Sequence, residues 1–339
     1  MIHPPLAAWH LDAAHRSAAL GDLRLESGET LRDCRQSYVT HGTLAPDRGN
    51  AVLVCSAITG THHRCDFLVG PGRALDPARW FVVATDALGN GLSSSPSNSA
   101  TQPGMAFPRF TLRDMVEAQR RLVVEHLGIE RLHAVVGASM GGMQALQWGV
   151  SHGAMAARIV AMTPMARTTP WAAVVLETAR ACLMADPAWN GHEFTRRPER
   201  GWRAYAGLMN ALLMKTPEAV DAGGPTFDDI VAATLANGFD AHDFLYQSWA
   251  YAAHDVGTTP GIEGGTREAL GRIAARTLVL APPLDLFNPA AAAREAAAAI
   301  PGARFVEIPS REGHLAAGPQ SPADAAFLNR VIGEFLAAP

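Results

Sequence analysis

Ser139 is the residue in this chain best placed to attack an electrophile. It centres the string Gly137-Ala138-Ser139-Met140-Gly141, between an apolar run at 132–136 and a helix-like stretch at 142–150. A strand that turns sharply into a helix lifts a serine hydroxyl clear of the backbone, and glycines flank it because side chains there would clash. The helix start behind it offers N–H groups and the positive end of a dipole, both suited to a developing oxyanion. A serine hydroxyl is a weak nucleophile without a base. Histidine can take its proton and return it to a leaving group, while a buried carboxylate holds the imidazole in the right tautomer. Both partners follow downstream. Residues 278–281 read as a buried strand running into the proline-rich loop 282–289, which carries Asp285; residues 304–308 read as another strand, and the segment after it ends at His314. The chain order Ser139, Asp285, His314, with each residue just past a strand, points to chemistry through a covalent acyl-serine.

Other chemistries find less support. His62-His63 and Cys65-Asp66 invite a metal reading, but adjacent side chains in an extended loop point apart and no second ligand cluster stands at a useful spacing, so no metal is expected. Gly89-Asn90-Gly91 and Gly141-Gly142 make neither a dinucleotide fingerprint nor a Walker loop.

The elements that must position the three residues can be read from patterning. Residues 23–26, a Ser27-Gly28 turn and residues 31–40 read as an opening hairpin. Residues 51–55 and 80–85 are short apolar runs of the kind that form strands buried on both faces. Thr111 and Asp114 look like a capping box opening a helix with apolar positions Leu112, Met115, Val116, Leu122, Val123 and Leu127, and Gly128 is its stop. Ala-rich 290–299 is a good helix former, and a closing helix is expected over 321–338. Strands alternating with helices predict a mostly parallel sheet flanked by helices. Between about 163 and 273 the pattern is helical, broken by Pro187, Pro198, Pro217 and Pro225, with no convincing strand. Four of the seven tryptophans and three of the four tyrosines lie there, which suits either a roof shaping an apolar pocket or the insertion's own core.

Composition narrows the class. With 339 residues, 48% hydrophobic, the chain can bury one large core or two modest ones. A net charge of −4 with no long basic tract gives nothing for a nucleic acid or an anionic membrane to recognise. No run of about eighteen apolar residues appears, the first ten residues lack a secretory pattern, and Cys34, Cys55, Cys65 and Cys182 are scattered. The expectation is a soluble cytoplasmic protein with free thiols.

The sequence resembles the homoserine O-acetyltransferase family of α/β-hydrolases across most of its length. The matching stretches are Leu25-Glu26-Ser27-Gly28, residues 51–60, residues 110–119 and, most specifically, residues 137–148 (Gly-Ala-Ser-Met-Gly-Gly-Met-Gln-Ala-Leu-Gln-Trp). The resemblance implies an α/β-hydrolase core over 1–165 and 270–339, a helical lid inserted over 166–269, and double displacement through acyl-Ser139. It implies an oxyanion hole from the backbone N–H of Met140 and of Ile58, and a homodimer. The chain departs from the family in ways that bear on substrate. Where family acetyltransferases follow the catalytic histidine with an aspartate suited to the homoserine ammonium, here stands Leu315, which cannot pair with that charge. The loop after the third core strand is altered as well. Glu177-Thr178-Ala179-Arg180 does match a family lid motif; Arg180 either clamps a substrate carboxylate or sits in a structural ion pair. The reading favours a carboxylic-ester hydrolase acting on a small-molecule ester or acyl donor, with no tightly bound cofactor. The alternatives are an acyl-CoA-dependent O-acyltransferase using an alcohol, and a catalytically silent binding protein on the same fold.

Overall fold

A computed structural model describes residues 6–338. Its strands are β1 (Arg16–Arg24), β2 (Thr30–His41), β3 (Ala51–Cys55), β4 (Phe81–Thr85), β5 (Ala134–Ala138), β6 (Arg158–Met162), β7 (Arg276–Ala281) and β8 (Arg304–Glu307). They form one sheet in the order β1-β2-β4-β3-β5-β6-β7-β8. β1 with β2 and β2 with β4 are antiparallel; every later neighbouring pair is parallel. The short apolar runs make sense in this setting, because alternate residues of a central strand feed opposite cores. In β3, Val52 and Val54 join the cluster that includes Leu328 and Ile332 of the closing helix α10 (Pro322–Ala337), whereas Ala51, Leu53 and Cys55 join Leu146 and Trp148. These last two lie on α2 (Met140–Ser151), the helix that leaves the elbow. Each fully buried leucine or valine contributes about 1.5–3 kcal/mol, so both faces hold the sheet firmly.

Local signals place several elements. Helix α1 (Leu112–Arg121) starts on the Thr111–Asp114 capping box, both halves of which are present, and continues through a wider turn at Leu122–His126 before Gly128, at φ 66°, ends it. Ser321 caps α10 by accepting from the N–H groups of Ala323 and Asp324. Two readings need correcting. The first strand begins at Arg16 rather than at 23, because most of its residues are exposed and register shifts around Gly21 blur the alternation. Strand β6, with four buried residues in Ile-Val-Ala-Met, is an addition to the sequence elements; the Ala- and Met-rich residues on either side of it read equally well as helix.

Between β6 and β7 the named elements are helical: α3 (Pro170–Met184), α4 (Glu199–Tyr205), α5 (Pro217–Asp221), α6 (Phe227–Asn237), α7 (Ala241–Ala252) and α8 (Gly265–Gly271), with one-turn and wider helical pieces between them. Many of the aromatic residues concentrated here serve packing: Trp202, Tyr205, Phe244 and Tyr246 are buried in one cluster that also takes in Met140 and Met143 of α2. α9 (Ala290–Ala299) follows β7 and buries Ala293 and Ala297 against Val279 and Ala281. No helix among the described residues is long and apolar enough to cross a membrane. The four cysteines are free.

Candidate active site

The parallel run β5-β6-β7-β8 brings three distant chain segments to one edge of the sheet. Ser139 follows β5 directly and has φ 57° and ψ −124°, a conformation that costs a non-glycine residue about 1–3 kcal/mol and persists only where its surroundings enforce it. They do: its N–H donates to the carbonyl of Met162 at 2.9 Å, at the end of β6. The glycines are obligatory, since a Cβ on Gly137 would lie 2.1 Å from the Gly141 carbonyl oxygen and one on Gly141 would lie 2.3 Å from that of Cys55. Asp285 sits in the loop after β7, and His314 in a short 3-10 turn (Gly313–Ala316) after β8. His314 Nε2 is 2.8 Å from Ser139 Oγ and its Nδ1 is 2.7 Å from Asp285 Oδ2. All three side chains are buried.

Asp285 is held from its other side. Its Oδ1 accepts from the backbone N–H of Phe287 at 2.9 Å and of Asn288 at 2.8 Å. Asn288 in turn donates to the Thr163 carbonyl at 2.7 Å and accepts from the Tyr251 hydroxyl at 2.7 Å. Tyr251 comes from α7, stacks on Phe287 with ring centroids 5.5 Å apart, and is completely buried. Burial pushes its phenol well above the usual range, while hydrogen bonding with Ser139 and Asn288 works in the opposite direction. Phe287 also meets His314 edge to face at 5.2 Å. Tyr251 and Asn288 are the site residues that sequence reasoning missed. Asn288 carried a local signal, being three residues beyond Asp285 in a loop rich in turn formers; Tyr251 carried none.

Met140 opens α2, so its N–H has no acceptor within the helix. Ile58 lies in a loop that is braced on several sides. Gln144 donates to the Ser56 carbonyl at 3.0 Å, the Thr59 N–H donates to Gln247 at 2.9 Å, and Asn90 donates to the Gly60 carbonyl at 3.1 Å.

The two residues expected to touch substrate sit differently. Arg180 is buried, bonded to Glu177 and, at 3.2 Å, to the Ser248 hydroxyl. The Glu177 contact is an ion pair three residues apart within α3. Leu315 lines a cavity of about 330 Å³ together with Met214, Lys215, Asp229 and Ile230, and Ser139 is not among its lining residues. The metal question changes too. His62 and His63 are not in an extended loop but open a 3-10 turn (His62–Leu68), which brings their ring centroids within 4.1 Å of each other, and His15 joins them. Cys65 stays outside that group, and burial pushes its thiol up to about 11.

The α/β-hydrolase fold family matches residues 50–317. A probable esterase from Corynebacterium glutamicum is 33% identical over 89% of this chain and 89% of its own length. A homoserine O-acetyltransferase from Thermobifida fusca is 35% identical over 86% of each. The solved structure of an acetylester hydrolase from Corynebacterium glutamicum superposes with a TM-score of 0.89 at 30% identity, covering 96% of both chains. The chain belongs to the α/β-hydrolase superfamily, in the branch that holds homoserine O-acetyltransferases and their esterase relatives.

Proposed function

We propose that this protein is a carboxylic-ester hydrolase working through acyl-Ser139. The observation that carries the reading is the continuous hydrogen-bonded line from Ser139 Oγ through the His314 ring to Asp285. In the first half-reaction His314 Nε2 takes the serine proton as Oγ attacks the ester carbonyl carbon. The backbone N–H groups of Met140 and Ile58 receive the negative charge on the carbonyl oxygen. The tetrahedral species collapses with loss of an alcohol, which takes the proton from His314. Water then attacks the acyl-serine with His314 as base, releasing the carboxylic acid and restoring Ser139. Asp285 orients the imidazole and balances its transient charge.

Water is the favoured acceptor for two reasons. Leu315 stands where family acetyltransferases carry an aspartate, so a homoserine ammonium would lose its partner. Esterases are also among the similar proteins at about 30% identity. The helical stretch over 166–269 is the lid of this enzyme, the substrate is a small ester, acetyl esters first among them, and a homodimer is the expected assembly. The second reading, transfer from acyl-CoA to an alcohol, shares the acyl-serine and rests on the homoserine O-acetyltransferase relatives. Intact-mass spectrometry separates the two. Acyl-Ser139 is formed from an aryl acetate or from acetyl-CoA and chased with water, homoserine, or a carboxylate-bearing alcohol without the amine. Hydrolysis should dominate, with little gain from homoserine; strong selective capture by homoserine would overturn the hydrolase reading. Ser139→Ala should form no adduct and lose about 10⁴–10⁶ in rate, and near wild-type turnover would sink the mechanism itself.

A further inference from the structure

A second constellation stands beyond the carboxyl ends of β3 and β4, in the turn that follows the Ile58 loop. One ring nitrogen each from His15, His62 and His63 lies within 4.8 Å of the others. His15 belongs to the segment just before β1, while the other two open the turn after β3, so the grouping exists only in the folded chain. Two of the rings are backed by carboxylates. His62 Nδ1 is 3.1 Å from Asp86 Oδ2, and His63 Nδ1 is 2.5 Å from Asp66 Oδ2. Both carboxylates are fixed in turn: Asp86 accepts from the Ser37 hydroxyl at 2.7 Å and the His62 N–H at 2.8 Å, and Asp66 accepts from the Leu11 N–H at 2.8 Å. His62, His63, Asp66 and Asp86 are each at most 3% exposed, whereas His15 is open to solvent.

We propose that His15, His62 and His63 bind one divalent transition-metal ion, with zinc the best match. With carboxylates at both Nδ1 atoms, the neutral ring of His62 and of His63 would carry its hydrogen on Nδ1 and present Nε2 to the ion. Carboxylates behind ligating histidines are the usual second layer of zinc sites, where they fix ring orientation and raise ligand basicity. A donor set of imidazole nitrogens selects zinc and its transition-metal neighbours over calcium or magnesium, which require oxygen. A tetrahedral ion takes one donor beyond these three rings. The ion would tie the segment ahead of β1 to the turn that directly follows the Ile58 loop. That is a structural role, and none of the three histidines belongs to the Ser139–His314–Asp285 line.

The test is metal binding to tag-free protein stripped with chelator. Zn²⁺ is titrated by calorimetry, and Co²⁺ is followed by its visible absorption as a report on tetrahedral nitrogen ligation. Wild-type protein and His314→Ala should each take up one equivalent, and melting temperature should rise with the logarithm of free Zn²⁺. His15→Ala, which alters an exposed side chain and leaves the core intact, should bind at least tenfold more weakly. Asp86→Asn should weaken binding about 10–100-fold if it folds. Absence of saturable binding by the wild type, undiminished binding by His15→Ala, or loss in His314→Ala instead would each overturn the proposal. None of these readouts depends on esterase activity, so the metal site and the hydrolase reading stand or fall separately.

Discussion

Replacing Asp285 by asparagine tests the orienting role at the level of single atoms. The carboxylate uses its two oxygens for different tasks: Oδ1 accepts from the N–H groups of Phe287 and Asn288, and Oδ2 faces His314 Nδ1. An asparagine must keep its oxygen toward the two backbone donors, because turning its NH₂ there would set donor against donor at both. The amide nitrogen therefore occupies the Oδ2 position, 2.7 Å from His314 Nδ1. That nitrogen donates, so it selects the imidazole tautomer whose Nδ1 carries no hydrogen. The proton then sits on Nε2, facing the Ser139 hydroxyl 2.8 Å away, and the ring cannot accept the serine proton. The analogous change in serine proteases costs about 10⁴ in kcat, or about 5.5 kcal/mol of barrier. The loss should appear in kcat and kcat/KM alike, since Asp285 touches no substrate. Stopped-flow acylation by an aryl acetate measures the affected step directly, and unfolding curves check that the fold is retained. Acylation within about tenfold of wild type would refute the argument and move suspicion to another carboxylate, with Glu312 the first to examine.

Three further outcomes follow from the same contacts. Tyr251→Phe keeps the stacking on Phe287 but leaves the Asn288 side-chain oxygen without its buried donor, so urea unfolding should show a loss of about 1–3 kcal/mol; an unchanged midpoint would mean that bond contributes nothing. Asp243, buried and close to Asp240, has its carboxyl pushed from the usual 3.8 to about 7, by burial first and its neighbour's charge second. Its ionised form is therefore disfavoured in the fold, and the linkage runs in one direction: the cost is absent below pH 3.8, grows as pH rises, and levels off above pH 7 at no more than about 4 kcal/mol. Asp243→Asn, which can still pair with Ser97, should be stabilised relative to wild type at pH 8 and much less at pH 5; equal pH dependence in the two proteins would contradict this. Arg180→Ala should destabilise the helical segment through loss of its bonds to Glu177 and Ser248 while leaving KM for neutral esters unchanged, and a KM rise confined to carboxylate-bearing esters would restore the substrate-clamp reading.

Much of the candidate site was readable because its determinants are local. A strand that must turn within one residue into a helix needs glycine on both sides, and the string at 137–141 states that requirement without reference to the rest of the chain. The capping box at Thr111 and the N-cap at Ser321 are equally local. Asp285 and His314 could be picked out because each closes a short apolar run, and because nucleophile, acid and base follow one order on this fold.

What the linear chain could not determine is everything that depends on which distant segments meet. The two hydrogen bonds of the Ser139–His314–Asp285 line span 175 and 29 positions, and they close only because β6 and β7 lie between β5 and β8 in the sheet. β6 itself is masked in the sequence by the Ala- and Met-rich residues around it, which suit a helix as well as a strand. Tyr251 reaches the site from a helix whose apolar residues look alike in sequence, and its role comes from pointing a hydroxyl at Asn288. His62 and His63 looked unable to converge because their neighbours suggested extended chain. A 3-10 turn brings the rings together, and His15, 47 positions before His62, joins them. Backbone conformation within a few residues is dictated by sterics that the sequence displays. Convergence across the sheet is decided by burial and strand pairing, which exist only once the chain is folded.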